Sequence, residues 1–346
     1  MTLPAEWHKQ AFVQLTWPHR QTDWAPLYDE VVRCYCEMAR EIALREPLLI
    51  VAHCPDGVKA ELEQHGTSLQ NISIVQCPTN DTWARDHGFI SCLHQGQRVL
   101  MDFQFNGWGM KFAANHDNQI NRRLYDEGAV EGIYTSCLDF VLEGGSIESD
   151  GEGTLLTTTS CLTAPNRNEP MSQADIERQL CQFFNARRVL WLNHSWLAGD
   201  DTDGHIDTVA RLCDPQTIAY VQCTDKNDEH YDELQAMEAE LKAFTTTDGK
   251  PYKLIPLPMP TAIYDETDTD ETGNPQRLPA TYANFLIMNG AVLMPTYGQP
   301  SNDRLARQQL QRAFPDRTIV GIDCRVLIRQ HGSLHCCTMQ YPEAHS

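Results

Sequence analysis

The sequence lacks the segments that mark exported, membrane-spanning or nucleic-acid-binding proteins. Its first residues, MTLPAEWHKQAFVQLTWPHRQTDW, contain no basic start followed by an apolar run, so we expect no signal peptide. No stretch approaches about 18 uninterrupted apolar residues, so we expect no membrane span. Basic residues are few, with 27 Lys and Arg against 47 Asp and Glu, and the net charge is -20. That charge disfavours nucleic acid and anionic membranes as partners and weakly favours a small cationic molecule, although many proteins are acidic only for solubility.

The thirteen cysteines lack the CxxC spacing of common zinc and redox sites. An odd number of scattered cysteines, without a secretory signal, predicts reduced thiols and a cytoplasmic location. We expect most of these cysteines to be small core residues. The sequence also lacks HExxH, the helical spacing of a common zinc-hydrolase motif.

No low-complexity linker divides the chain, so residues 1–346 are predicted to form one domain. The nearest candidate linker is the acidic stretch 264–281, which fits a surface loop near a binding site equally well. Amphipathic helices alternate with short apolar strands, and the strands are predicted to begin near residues 47, 135, 188, 252 and 317. A Ser cap is expected to open the helix SQADIERQLCQFFN, and a Ser/Asn cap region the helix SNDRLARQQLQRAF. This rhythm suits repeated α/β modules. Taken alone, it favours the simpler alternative of an open α/β sheet with insertions.

Four glycine-containing stretches are rich in reactive side chains and lie at predicted strand ends or loops. They are NDTWARDHG at 80–88, LEGGSIESDGEG at 142–153, GDDTDGHIDT at 199–208 and HGSLHCC at 331–337. Acidic residues in such loops are more often turn formers than reactive groups. If 205–207 were extended, His205 and Asp207 would share a face, and an ordinary structural His–Asp pair would be the simpler interpretation.

The combination of a thiol, a histidine and several carboxylates favours a cationic substrate with many hydrogen-bond donors. A substituted guanidinium offers five N–H donors, and carboxylates bind it two bonds at a time. A thiolate can attack the guanidinium carbon, and a histidine can protonate the departing ammonia and then activate water. This chemistry needs neither a metal nor an organic cofactor. Zinc held by His205, Asp207 and a cysteine is the less favoured alternative, because no metal-ligand spacing accompanies these residues.

In this order, the four stretches resemble those of the agmatine deiminases and the related bacterial peptidylarginine-deiminase-like proteins. LPAEWHKQAFVQLTWPH, FNGWGMKF and PTYGQPSNDRLARQQLQRAFPDRTIVGID are also similar, and the resemblance covers about residues 2 to 342. It implies the pentein fold, an α/β propeller of five modules with pseudo-fivefold symmetry. It also implies hydrolysis of agmatine to N-carbamoylputrescine and ammonia.

The resemblance implies a role for six residues. Cys336 matches the nucleophile, His205 the general acid/base and Glu143 the carboxylate that partners the histidine; Asp86 and Asp207 match the carboxylates that bind the guanidinium, and Trp83 an aromatic residue of the substrate site. Cys337 is expected on the opposite face of the same strand. Asp201 and Asp203 are expected to support the site or, more simply, to form turns and caps.

The sequence departs from the family pattern at His331, where glycine is expected, at Glu148, where many members have histidine, and in the acidic 265–275 loop. These departures leave the substrate open between agmatine and the arginine side chain of a protein. Free arginine is less favoured, because no basic residue for its carboxylate is conspicuous. A guanidinium-binding protein without turnover is the non-enzymatic alternative. The sequence does not decide whether the chain forms a homo-oligomer.

Overall fold

A computed structural model describes residues 1–269 and 273–344, apart from the side chains of residues 266 and 268. Within these residues the strands are β1 Gln10–Thr16, β2 Leu48–Ala52, β3 Ile72–Gln76, β4 Ile90–His94, β5 Gln97–Gln104, β6 Ile133–Val141, β7 Ile147–Ser149, β8 Thr154–Thr158, β9 Arg188–Leu192, β10 Ala210–Asp214, β11 Thr217–Gln222, β12 Lys253–Pro258, β13 Tyr264–Thr269, β14 Pro275–Arg277, β15 Leu286–Met288, β16 Ala291–Thr296, β17 Thr318–Asp323 and β18 Thr338–Pro342. The helices longer than one turn are α1 Tyr28–Ala43, α2 Pro55–Gln64, α3 Ile120–Asp126, α4 Gln173–Phe184, α5 Tyr231–Ala243 and α6 Pro300–Ala313.

Besides the two-stranded sheet β13-β14, the strands of the described residues form five sheets with one repeated pattern. In each sheet an antiparallel pair is followed by a helix that crosses over to a parallel strand: β4-β5-β6, β7-β8-β9, β10-β11-β12, β15-β16-β17 and β18-β1-β2. The last sheet also carries β3. The chain is therefore mixed α/β and is built from five repeated units.

The predicted helix-then-strand rhythm is confirmed by these units. The parallel strands β2, β6, β9, β12 and β17 begin within two residues of the positions expected from the sequence. Ser172 caps α4 as predicted: its hydroxyl accepts from the Asp175 amide, and the Asp175 carboxylate accepts from the Ser172 amide. The cap predicted for α6 is wrong, because α6 begins at Pro300 and Gln299 occupies the cap position. Proline suits this first turn, since its missing N–H would have no partner there.

The acidic stretch that was predicted to be a loop is partly a β-hairpin. Strands β13 and β14 pair antiparallel, with Tyr264 opposite Arg277. Asp265 lies 3.4 Å from Nε of Arg329, so this hairpin contacts the segment that leads to HGSLHCC. Residues 270–272 of the predicted 265–275 loop lie outside the described residues.

Each of the four motifs forms a short helical turn just before the first strand of a sheet. The turns are Ala84–His87 before β4, Gly144–Ser146 before β7, Ile206–Thr208 before β10 and His335–Cys337 before β18. The strand predicted at 336–337 is therefore wrong, and the condition of an extended chain at 205–207 is not met. Glycine, serine and aspartate in the four motifs disfavour strand pairing and favour tight turns. Each turn brings its side chains to the end of its sheet.

No helix among residues 1–269 and 273–344 combines the length and the apolar character that crossing a membrane requires. The helices instead cover a buried core of aliphatic and aromatic side chains. Trp17, Trp24, Tyr35 and Tyr282 are among its largest fully buried members. Burying apolar area of this kind contributes about 25 cal/mol per Å² and holds the sheets rigid around the motif turns.

Candidate active site

The turns from different sheets meet at a cavity of about 180 Å³. Cys336 lines this cavity together with five carboxylates and three aromatic side chains. These are Asp23, Asp81, Asp86, Asp200, Asp201, Trp83, Trp108 and Phe112. Among the described residues that line the cavity, none is Lys or Arg. The cavity therefore combines a sulfur nucleophile with a strongly anionic wall.

Gly145 lies where three of the predicted site residues meet. A Cβ atom at this position would come within 2.6 Å of His205 Nδ1, 2.9 Å of Asp86 Oδ1 and 3.2 Å of Asp207 Oδ2. The Gly145 amide also donates to Asp86 Oδ1 at 3.1 Å. Only glycine leaves room for this convergence, which gives the EGG motif a steric reason.

The Cys336 thiol is buried and donates to Asn284 Oδ1 at 3.4 Å. The same oxygen accepts from the backbone amides of His335 and Cys336. Burial and the nearby Asp207 and Asp86 raise the pKa of the Cys336 thiol well above its ordinary value. The cysteine is therefore a neutral thiol at neutral pH when no cation is bound.

His205 is fully buried, and neither of its ring nitrogens meets hydrogen-bond geometry with a described residue, although the Cys161 thiol lies close enough to act on its pKa as a hydrogen-bonding neighbour. Its Nδ1 lies 3.7 Å from Asp86 Oδ1. Burial lowers the pKa of His205, but Asp86, Cys161 and Glu143 outweigh burial and raise that pKa well above its ordinary value. An imidazolium with unengaged N–H groups can donate a proton to a bound ligand.

Asp86 faces both His205 and the cavity. Its Oδ2 accepts from Trp108 Nε1 at 2.9 Å, and its Oδ1 accepts from the Gly145 amide. Burial raises the pKa of Asp86 to about 6, against the opposing effect of His205. Asp86 is thus mainly a carboxylate at neutral pH and becomes protonated in mild acid.

Asp207 is buried as deeply as Asp86 but is stabilised differently. Its Oδ2 lies 2.7 Å from Nδ1 of His335, while its Oδ1 is buried with no hydrogen-bond partner among the described residues. Burial raises the pKa of Asp207, but the hydrogen bond and charge of His335 outweigh burial and lower it. One oxygen of this carboxylate is held, and the other is free to accept.

Glu143 is fully buried, but its hydrogen-bond partner is Arg167. Nε of Arg167 donates to the two carboxylate oxygens at 3.0 and 3.3 Å. Glu143, Cys161 and His205 each bring one atom within 4.8 Å of the others, so the predicted Glu143–His205 contact is looser than a hydrogen bond. Asp203 accepts from Arg167 Nη1 at 2.6 Å, which joins the LEGG and GDDTDG motifs.

The Trp83 ring packs close to Gly332 of the HGSLHCC segment. A Cβ at Gly332 would come within 2.2 Å of the Trp83 ring, so this position needs glycine. His331, where glycine was expected, has a positive φ of 63° and thus adopts the backbone conformation that glycine favours. Its Nδ1 lies 2.7 Å from the carbonyl oxygen of Gly199, and its side chain lines the cavity.

The structure separates the two adjacent thiols. Cys336 lines the cavity, whereas Cys337 is fully buried, and its environment includes the Tyr35 hydroxyl.

Glu148 does not line the cavity; it accepts from Nε of Arg211 at 2.5 Å and from the Leu212 amide at 3.0 Å. Asp201 lines the cavity and lies 3.9 Å from His331.

Two buried triads have metal-ligand chemistry, namely Glu143, Cys161 and His205, and Glu6, Glu148 and His335. In each triad an arginine already bonds the carboxylates: Arg167 with Glu143, and Arg211 with Glu6 and Glu148. A metal cation would have to compete with these buried guanidinium groups. These residues therefore fit ion pairs with arginine inside the protein better than a metal site. That the protein binds no metal remains a prediction.

Sequence reasoning missed Asn284, Arg167, Glu6 and His335. Asn284 immediately precedes β15, the first strand of a sheet, as the four motif turns precede theirs. That shared position was the available signal, but no reactive neighbour drew attention to it. The other three act on the site through contacts that are distant in sequence, such as 205 residues between Glu6 and Arg211.

The model of the Porphyromonas-type peptidyl-arginine deiminase family matches residues 2–342. A solved structure of a Porphyromonas gingivalis protein with a provisional arginine deiminase name is 52% identical, covers 99% of this chain and 98% of that one, and has a TM-score of 0.90. The C. jejuni agmatine deiminase with substrate bound, in a cysteine-to-serine variant, is 37% identical, with coverage of 100% and 97% and a TM-score of 0.89. The agmatine deiminase of Pseudomonas aeruginosa strain LESB58 is 32% identical over 98% of this chain and 95% of its own.

Proposed function

The chain belongs to the Porphyromonas-type peptidyl-arginine deiminase family, and from that premise we propose that it hydrolyses agmatine to N-carbamoylputrescine and ammonia. The observation that carries the proposal is the cavity that joins the Cys336 thiol to a wall of carboxylates. Relatives with full-length similarity are named agmatine deiminases, and one was solved with substrate bound.

The charge of the cavity supports a substrate that is cationic at both ends. Agmatine carries a guanidinium at one end and an ammonium at the other. Asp86 lies beside the thiol, whereas Asp200 and Asp201 contribute carboxylates elsewhere on the wall. Free arginine carries a carboxylate that would meet these acids without a Lys or Arg among the described lining residues. The arginine side chain of a peptide lacks that free carboxylate and is the closer alternative.

Reaction begins when the guanidinium binds between Asp86 and Asp207. Its positive charge lowers the pKa of the Cys336 thiol, which loses its proton to solvent and attacks the guanidinium carbon. His205, already an imidazolium, protonates the departing nitrogen, and ammonia leaves a thiouronium on Cys336. The neutral imidazole then takes a proton from water, and the hydroxide attacks the same carbon. The C–S bond breaks, the hydroxyl proton passes to the departing sulfur, and N-carbamoylputrescine is released with Cys336 again a thiol.

The remaining roles are proposed from the same geometry. Asn284 orients the Cys336 sulfur. Glu143, fixed by Arg167, adds negative charge near His205 and supports its protonated form. Trp83 forms an aromatic wall of the cavity beside the reacting sulfur. No metal or organic cofactor is assigned a step.

We further propose that residues 1–346 form one deiminase domain whose five units close into a propeller around a pseudo-fivefold axis. Antiparallel pairing of β18 with β1 joins the two ends of the chain and supports closure. We predict that the chain binds neither nucleic acid nor membranes. A homo-oligomer is possible and is not assigned. All thirteen cysteines lie within the described residues and are free thiols, in keeping with the predicted cytoplasmic location.

The function is tested by measuring ammonia release from agmatine, free arginine and an arginine peptide with blocked termini in parallel. Agmatine should have the highest kcat/KM, by about 100-fold or more over arginine, because a buried unpaired carboxylate costs several kcal/mol. Preferred turnover of the peptide would shift the assignment to protein deimination. Release from none of the three would favour a guanidinium-binding protein.

The adjacent cysteines provide a matched control for the nucleophile. Cys336→Ala should abolish ammonia release, whereas Cys337→Ala should retain most of it, because Cys337 does not line the cavity. Circular dichroism and thermal melting of both variants would separate loss of chemistry from loss of fold. The reverse pattern of activities would overturn the assignment of Cys336.

A further inference from the structure

His335, the residue before the proposed nucleophile, is held between two carboxylates. Its Nδ1 lies 2.7 Å from Asp207 Oδ2, and its Nε2 lies 2.7 Å from Glu6 Oε2. The histidine is buried, and its backbone amide donates to Asn284 Oδ1 at 2.9 Å. The ring therefore has both nitrogens engaged and its backbone fixed.

These two contacts imply that His335 is an imidazolium. An ionised carboxylate only accepts hydrogen bonds, so each ring nitrogen must donate, and both nitrogens carry hydrogen only in the protonated ring. Nη2 of Arg211 also lies 3.1 Å from Nε2, and donation to Nε2 would leave the ring neutral. That arrangement would set the Nε2 lone pair against Glu6 Oε2 at 2.7 Å, so the shorter contact indicates that Nε2 donates to Glu6. Burial raises the pKa of Glu6, but Arg211, His335 and Arg85 outweigh burial and hold it well below its ordinary value.

Glu6 is itself anchored from two sides. Its Oε2 accepts from Arg211 Nη2 at 2.8 Å, and its Oε1 accepts from the Ile287 amide at 2.7 Å. Arg211 is fixed in turn by Glu148. Glu6 belongs to the segment before β1, so the N-terminal residues complete a chain of contacts that ends at the cavity.

We propose that His335, anchored by Glu6, is a positioning residue that orients Asp207 and presents its Oδ1 to the guanidinium. This inference rests on the proposed function. The Oδ2 atom is occupied by His335 Nδ1, and the buried Oδ1 has no partner among the described residues. Without the imidazolium, Asp207 could rotate, and its charge would lack its closest compensating cation.

Several charged or titratable groups act on the ionisation of Asp207. They are His335 and Cys336 from the HGSLHCC segment, His205 from its own turn, Asp86, Arg85 and Arg211. Among these, His335 is the cation that hydrogen-bonds the carboxylate directly. Loss of its charge should therefore favour protonated Asp207.

The test compares two substitutions that each keep one of the two ring donors. In His335→Asn the side-chain amide takes the place of Nδ1 and still donates to Asp207. In His335→Gln the amide takes the place of Nε2 and keeps the Glu6 contact instead. Agmatine affinity is measured by calorimetry in a Cys336→Ala background, so the readout does not require turnover.

We expect His335→Asn to bind agmatine within about tenfold of the background protein and His335→Gln to lose a further 10- to 100-fold, as supporting hydrogen bonds of a site typically do. In enzymes with Cys336 intact, the loss in His335→Gln should appear mainly in KM. Equal losses in the two variants, or tighter binding by His335→Gln, would overturn the proposal. Wild-type protein that binds but does not turn over agmatine would contradict the proposed function alone.

Glu6→Gln provides a second test if the His335 variants do not fold. Removal of the charge on Glu6 loosens the anchor of His335, so agmatine affinity in the Cys336→Ala background should fall by about 10-fold or more. Glu46→Gln in the same background is the matched control, since Glu46 is a buried carboxylate that accepts from the Asn289 amide away from the cavity. Equal agmatine affinity in Glu6→Gln and Glu46→Gln would overturn the proposal.

Discussion

His205 and His335 are both buried beside carboxylates, yet they are bonded in opposite ways. His335 has a carboxylate at 2.7 Å from each ring nitrogen, whereas His205 has no hydrogen-bond partner for either nitrogen among the described residues. Buried polar groups normally have partners, so an unpartnered one beside Asp86, which lines the cavity, calls for a ligand. The comparison indicates that His205 is kept available for substrate, while His335 is part of the support.

The carboxylates on the two sides of His335 differ in the same way. Asp207 has one bonded and one free oxygen, and Glu6, behind His335, has both oxygens bonded. Glu6 is thus saturated by its partners, whereas Asp207 keeps an unused acceptor. Such an arrangement holds reactive atoms in place before the substrate arrives, which lowers the cost of ordering them.

The largest expected difference is between alanine substitutions at the two histidines. His205→Ala should lower kcat by about 10²- to 10⁴-fold, because it removes the proposed acid/base, and should lower Tm less than His335→Ala does, since the ion pair it removes, with Asp86, is 3.7 Å long. His335→Ala should destabilise the fold by about 3 kcal/mol or more, because it leaves Glu6 and Asp207 buried with one cation fewer. Steady-state kinetics and thermal melting of both variants check this.

A fall in Tm after His205→Ala that equals or exceeds the fall after His335→Ala would contradict the comparison. Retention of activity in His205→Ala would remove the proposed acid/base altogether.

A methyl group at Gly145 should displace the side chains that converge there and leave the bonded pair of Glu6 and His335 intact. Gly145→Ala places Cβ against His205, Asp86 and Asp207, and we expect kcat/KM to fall by about 100-fold through their displacement. Gly57→Ala is the control, because its Cβ would meet nothing closer than 3.4 Å and lies in α2. Comparable activity of the two variants would show that the three side chains need not converge at Gly145.

The smallest predicted effect is a shift of the acid limb of the pH profile. Asp86 must be ionised to bind guanidinium, and its pKa of about 6 predicts that kcat/KM falls as the pH drops below that value. Trp108→Phe removes the indole donor to Asp86 Oδ2, which should raise the pKa and move the limb upward by less than about one unit.

Trp191→Phe is the matched control for Trp108→Phe, because the Trp191 indole donates to the partly exposed Glu177 instead. An identical acid limb in wild-type protein and both variants would show that Asp86 does not set it.

The sequence predicts well what depends on local pattern. The strand positions, the α4 cap and the four motif stretches follow from periodicity, capping chemistry and ordered resemblance, and the structure brings all four stretches to one place. The short helical turn at His335–Cys337 was wrongly predicted to be a strand, because three residues carry no usable periodicity.

Partners distant in sequence could not be predicted. Arg167 instead of His205 bonds Glu143, and Glu6 reaches His335 across 329 residues of sequence, because the repeated sheets bring separate turns together. Ion pairing is decided by distance and burial in the folded chain, which no spacing rule along the sequence records.

The central claim is that Cys336 alone among the thirteen cysteines forms a covalent bond to the guanidinium carbon. Mass spectrometry of peptides from enzyme quenched with acid during agmatine turnover tests it directly. The account predicts an agmatine-derived thiouronium, formed with loss of ammonia, on the peptide containing Cys336, located at Cys336 by fragmentation and present in the Cys337→Ala variant. An adduct on Cys337, or turnover that continues in Cys336→Ala, would contradict it.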